Sequence, residues 1–65
     1  MNIRLVNDEY EEIALIENKD TLYNTLQIAN SINEFIIDSF FYKKSNDNIN
    51  LNLNAECIEI FVEES

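Results

Sequence analysis

DTLYNTLQIANSINEFIIDSFFY, residues 20–42, is the stretch on which the reading of this chain turns. Leu22, Leu26, Ala29, Ile32, Asn33, Ile36 and Phe40 recur at steps of three and four, the spacing that aligns one face of an α-helix. The spacing therefore predicts one long amphipathic helix from Asp20 to about Tyr42. Asp20 is the expected N-cap, where its carboxylate would accept from a first-turn N–H and face the positive end of the helix dipole. Lys43 and Lys44 stand at the expected C-terminal end, where cations are favoured. Ser45-Asn46-Asp47-Asn48 reads as the turn that follows. A second apolar stripe, Ile28, Phe35 and Tyr42, flanks the core-facing one, and the band is wider than a single sheet face needs.

Outside this stretch the chain reads as strands. Asn2–Val6 alternates Ile3 and Leu5 with Arg4 and Val6, and Asn7-Asp8-Glu9 makes a turn into a second strand over Tyr10–Ile16. Beyond the helix, Ile49, Leu51 and Leu53 alternate with Asn50, Asn52 and Asn54. Asparagine has low strand propensity, so this strand is expected at a sheet edge with its asparagine face in water. Cys57–Glu63 is the last strand, with Ile58, Ile60 and Val62 inward and Cys57, Glu59, Phe61 and Glu63 on the other face. The predicted order is β-β-α-β-β, a two-layer α+β domain with the helix across a four-stranded, mainly antiparallel sheet of order 1-2-4-3. Ile13 and Leu15 are expected beneath the helix, which leaves Val6, Ala14, Ile16, Cys57 and Phe61 on the open face, more apolar surface than a monomer ordinarily exposes.

Sixty-five residues suffice for one small domain, which buries only about 60% of its unfolded surface. A hydrophobic content of 46% is too high for a disordered acidic tail. Thirteen Asp and Glu against four Lys and Arg give a formal charge of −9. Such a surface repels nucleic acid and attracts basic proteins, above all the positive grooves that hold DNA or RNA. Cys57 is the single cysteine, so no disulfide forms within the chain, and no apolar run reaches the length of a membrane span. A cytoplasmic location follows as the expectation. Gly and Pro are absent while Asn and Ile abound, a composition that suggests an AT-rich coding sequence such as low-GC bacteria and their phages carry.

The chemistry available is narrow. Histidine is absent, which removes the commonest general base and the commonest zinc ligand. A lone cysteine in a strand reads as an apolar filler, and without Gly no phosphate-cradling loop forms. Asp8, Glu9, Glu11 and Glu12 cluster but match no calcium-loop spacing. Neither an enzyme nor a cofactor or metal site is expected. The acids concentrate instead in the first hairpin, at Asp8, Glu9, Glu11 and Glu12, and in the C-terminal segment, at Glu56, Glu59, Glu63 and Glu64. Carboxylates two residues apart on a strand are spaced about 6.8 Å, a distance on the scale of charges along a nucleic-acid backbone.

In size, acidity, lack of catalytic groups and surplus apolar surface, the chain resembles the general profile of phage-encoded inhibitors of host defence nucleases, anti-CRISPR proteins among them. No motif carries that likeness, so it assigns no residues. The expected function is a non-catalytic acidic inhibitor that docks on a basic, nucleic-acid-binding surface, its acidic groups steering the encounter and an apolar anchor giving affinity, with nucleic-acid mimicry one means open to it. Glu11, Glu12, Glu59 and Glu63 are the expected acidic contacts, and Phe61 and Phe35 the expected apolar anchors. The alternatives are a small structural or regulatory module that forms a homodimer through its open apolar face, and an antitoxin or immunity protein against a basic toxin.

Overall fold

The stretch 20–42 splits into a short helix and a β-hairpin in the computed structural model, which describes residues 1–65. In chain order the elements are β1 (Asn2–Val6), β2 (Glu12–Ile16), α1 (Leu22–Ser31), β3 (Glu34–Ile37), β4 (Phe40–Asn52) and β5 (Cys57–Glu64). The protein is mostly sheet, with five strands in a curled mixed sheet of order β2-β1-β5-β4-β3. The expected long helix, the four mainly antiparallel strands and the order 1-2-4-3 are thereby corrected.

Residue type explains where the helix stops. Leu22–Ser31 holds Leu, Gln and Ala, which suit a helix, whereas Phe35, Ile36, Ile37, Phe40, Phe41 and Tyr42 are β-branched or aromatic and suit a pleated surface. Asp38 and Ser39 join the two halves of that apolar run with φ of 49° and 71°. Two consecutive left-handed residues are what a two-residue hairpin turn of the primed type requires. Ile37 then pairs with Phe40, Ile36 with Phe41, Phe35 with Tyr42 and Glu34 with Lys43. The helix itself begins one residue later than expected. Thr21, not Asp20, is the N-cap, its side-chain oxygen accepting from the Asn24 N–H at 3.3 Å. It ends where Ile32 turns extended, with its N–H still donating to the Ile28 carbonyl. Lys44, expected near the helix end in sequence, reaches it from β4: its Nζ donates to the Ala29 carbonyl.

Ser45–Asn48 is not a turn between elements but an irregularity inside β4. The pairing with β5 passes from Lys44 opposite Val62 to Ile49 opposite Ile60, so β4 carries three residues more than its partner there. An odd surplus inverts the facing of side chains. Tyr42 and Lys44 therefore share the helix face with Ile49 and Leu51, although their numbers differ in parity.

The core lies between α1 and the centre of the sheet. Ile3 and Leu5 of β1, Ile58, Ile60 and Val62 of β5, Ala29 of α1 and Phe35 of β3 form one buried cluster. β1 and β5 run parallel, Ile3 beside Ile58 and Leu5 beside Ile60. Opposite Ile3 and Leu5 on the other side stand Ile16 and Ala14 of β2, so these two face the helix and Leu15, half-exposed, faces away. That reverses the expected facing of Ala14, Leu15 and Ile16, while Ile13, at a register shift between β1 and β2, packs against the core as expected. Val6 and Cys57, expected on an open face, are buried, and Phe61 is half-buried.

Candidate interaction surface

The sheet face away from the helix holds a charged centre. Arg4 and Glu59 are direct neighbours across the parallel β1–β5 pair, and Asn50 of β4 flanks Glu59 on the other side. Glu59 is fully buried. Its carboxylate accepts from Arg4 Nη1 at 2.6 Å, from the Tyr10 hydroxyl at 2.6 Å to both oxygens, and from the side-chain amides of Asn50 and Asn52. Those donors fill the acceptor capacity of a carboxylate, and no buried side-chain N or O atom in the protein lacks a partner. Burial pushes Glu59 upward, but the hydrogen bonds from Tyr10, Asn50, Arg4 and Asn52 together outweigh it and hold the group at about 2, below its ordinary 4.5. The hydrogen bond to Glu59 raises Tyr10 above its ordinary 10.0, since the phenol would have to ionise beside an anion.

The first loop is built to deliver Tyr10 to this place. Asn7 accepts at its side-chain oxygen from the N–H groups of Glu9 and Glu11, and its carbonyl accepts from the Tyr10 N–H. Tyr10 is left-handed, with φ of 63°, which turns its side chain back over the sheet. The Arg4 guanidinium lies 4.9 Å from the centre of the ring. Arg4 Nε also donates to Glu12 at 3.1 Å, so this one cation serves two carboxylates.

The six residues expected to contact a partner do not form one surface. Glu59 lies on the face away from the helix but is buried under its hydrogen-bond partners, and Phe35 is part of the core beneath the helix, so neither is offered to a partner. Phe61 is half-buried beside Val6. Glu11 is exposed and accepts only from Asn7, Glu12 is exposed but tied to Arg4, and Glu63 is exposed with Lys43 Nζ at 3.8 Å. The two acidic segments do meet elsewhere. A groove of about 300 Å³ has the exposed carboxylates of Asp8, Glu63 and Glu64 beside the half-buried Ile13 and Tyr42. The asparagine face of residues 50–54, expected to be solvated, is exposed at Asn50 and half-buried at Asn52, and both side-chain amides donate to Glu59.

One apolar surface remains open. Ile36 and Phe41, a cross-strand pair on the β3–β4 hairpin, are 66% and 61% exposed, and Phe40 at the turn is 62% exposed. Sequence reasoning missed this patch because it placed these residues on a helix. No three His, Cys, Asp or Glu side chains converge as a metal set would, and no helix is long and apolar enough to cross a membrane. Comparison with protein-family models, with curated proteins and with solved structures finds no match to this chain.

Proposed function

We propose that the protein is a non-catalytic acidic inhibitor that binds a basic, nucleic-acid-binding surface of another protein, in the manner of the small inhibitors of nucleases that phages encode. One observation carries this reading. The chain's few cations are largely engaged internally, while most of its carboxylates face outward without a counter-charge. Arg4 serves Glu12 and Glu59, Lys44 serves the helix end and Lys43 leans on Glu63. Of the 13 acids, only Glu12, Glu59 and Glu63 have a basic side chain within ion-pair reach. The residual field is negative and unscreened from within, which speeds encounter with a cationic groove and disfavours nucleic acid itself. The groove beside Asp8, Glu63 and Glu64 joins that charge to apolar lining. A cytoplasmic location belongs to the same reading, with the one cysteine, Cys57, free and buried.

The test is affinity capture from a low-GC bacterial lysate, washed at rising salt, followed by nucleic-acid binding assays on the proteins retained. The expected result is a retained protein that binds DNA or RNA alone and loses that binding when the acidic chain is added. Glu11→Lys with Glu63→Lys should weaken retention and flatten its salt dependence. Retention that is indifferent to both salt and charge reversal, or retained proteins with no affinity for nucleic acid, would remove the proposal.

A further inference from the structure

Resting on that reading, we infer that the open edge of β3 is a strand acceptor, taking an extended basic segment of the partner as a sixth strand of the sheet. β3 ends the sheet, with β4 as its one strand neighbour. In an antiparallel hairpin closed by two residues, the pair beside the turn exchanges hydrogen bonds and alternate pairs do not. Ile37–Phe40 and Phe35–Tyr42 are then the bonded pairs, and the Lys44 N–H donating to the Asn33 carbonyl at 3.0 Å keeps the same alternation. The N–H and C=O groups of Glu34 and Ile36 therefore point away from β4, toward the open edge.

Side chains at this edge define the occupant. Glu34 and Ile36 share the face turned from the helix, with Lys43 and Phe41 behind them on β4. Lys43 leans toward Glu63, and Glu34 has no ion-pair partner. An added strand meets an acid and, two residues on, an exposed apolar pair. It fits a segment with a cation and an apolar residue two positions apart. Edges that must stay unpaired are usually blunted by lysine or proline, and this one carries neither. A second copy of the chain is the poorer occupant. It brings a further −9 of charge, and a two-fold pairing centred on Ile36 sets Glu34 of each copy opposite Asp38 of the other.

The experiment uses the full chain and a blocked synthetic peptide, Lys-Thr-Val-Thr-Lys-Thr-Val, which carries that pattern on one face. Its control has the same sequence with every backbone N–H methylated, which keeps the side chains and charge and leaves no N–H to pair with the edge. Amide shifts read by NMR should concentrate at residues 34–37, and the methylated peptide should bind about tenfold more weakly. Ile36→Pro removes the outward N–H and trims the exposed apolar pair without touching a β3–β4 hydrogen bond, and should cause at least a similar loss with the original peptide. Equal affinity for both peptides, with shifts spread over Glu11, Glu12, Glu63 and Glu64, overturns the strand acceptor and leaves the acidic-inhibitor reading standing. Absence of binding by either peptide also overturns it. A concentration-dependent dimer of the chain alone that disappears in Ile36→Pro overturns it in favour of a second copy. If strand addition is found while lysate capture yields no nucleic-acid-binding protein, the proposed function falls and the edge site does not.

Discussion

Replacing Glu59 by glutamine tests whether the charged centre of the open sheet face holds the fold together. Glutamine keeps the shape but removes the charge and turns one acceptor into a donor. Tyr10, Asn50, Asn52 and Arg4 all donate toward this position, so an amide N–H₂ there faces donors. Removing one partner of a buried ion pair costs about 3–5 kcal/mol, chiefly because the other charge is stranded. Arg4 is 20% exposed and regains some water, which sets the expectation near the lower end, about 3 kcal/mol. A domain of this length is stable by only about 3–10 kcal/mol in total. With a urea dependence of about 1 kcal/mol per molar, the unfolding midpoint of Glu59→Gln should fall by about 3 M. Far-ultraviolet circular dichroism at pH 7 reads it, and a variant already unfolded without urea shows as lost sheet signal. A midpoint within about 0.5 M of the parent would refute the assigned role.

The same substitution has a pH signature. Glu59 sits at about 2 folded and near 4.5 when free, so its contribution is complete above about 4.5 and is lost as pH falls toward 2. Over that window the unfolded chain takes up a proton at this position and the folded one does not. Protonation of the many exposed acids relieves repulsion and acts in the opposite sense, but equally in parent and variant. The difference between their stabilities should therefore shrink steadily from pH 5 to pH 2, where protonated glutamate and glutamine are near equivalents. A difference that stays constant over that range would mean that Glu59 is not held ionised.

Three further outcomes are expected. In an absorbance titration one of the three tyrosines should ionise above the others, and Glu59→Gln should bring it back, because the hydrogen bond to Glu59 is what raises Tyr10. Ser39→Gly should stabilise the protein by about 0.5–1 kcal/mol, since glycine takes the left-handed turn conformation without a Cβ clash, and a lower urea midpoint would refute the turn assignment. Lys44→Met keeps most of the apolar stem but strips the Ala29 carbonyl of its donor, and should cost about 1 kcal/mol with hydrogen exchange quickened in the last turn of α1.

How far the fold was legible differs element by element. The alternation of Ile3 and Leu5 and that of Ile58, Ile60 and Val62 each marked a strand with the correct face inward, although the expected order set the first of them at an edge and it lies inside the sheet. Residues 32–42 misled because seven of those eleven positions are apolar, and a run that dense satisfies a helical and a strand period together. Residue type was the better signal, along with Asp38-Ser39 as a two-residue connection. Glu59 was legible only through its neighbours. Alone it resembles any outward glutamate of a strand, but Asn50 and Asn52 are poor strand residues whose amides need an acceptor, and Glu59 supplies it.

That pairing also addresses a problem that apolar alternation leaves open. Slipping β5 by one residue against β1 would turn Ile58 and Ile60 to the wrong face, so the hydrophobic pattern forbids it. A slip of two residues keeps every apolar residue facing the core, and the pattern barely opposes it. Such a slip would set Cys57 or Phe61 beside Arg4 and leave Glu59 buried away from its cation, a cost of several kcal/mol. The Arg4–Glu59 pair is on this argument a register lock more than a source of stability. The double substitution Arg4→Leu with Glu59→Val separates the two roles, because exchanging a buried ion pair for apolar residues is often neutral in stability. It should leave the sheet folded by circular dichroism while giving more than one set of amide signals for β1 and β5. A single set, with cross-strand contacts in the native register, would show that the hydrophobic pattern and the loops suffice to fix the register.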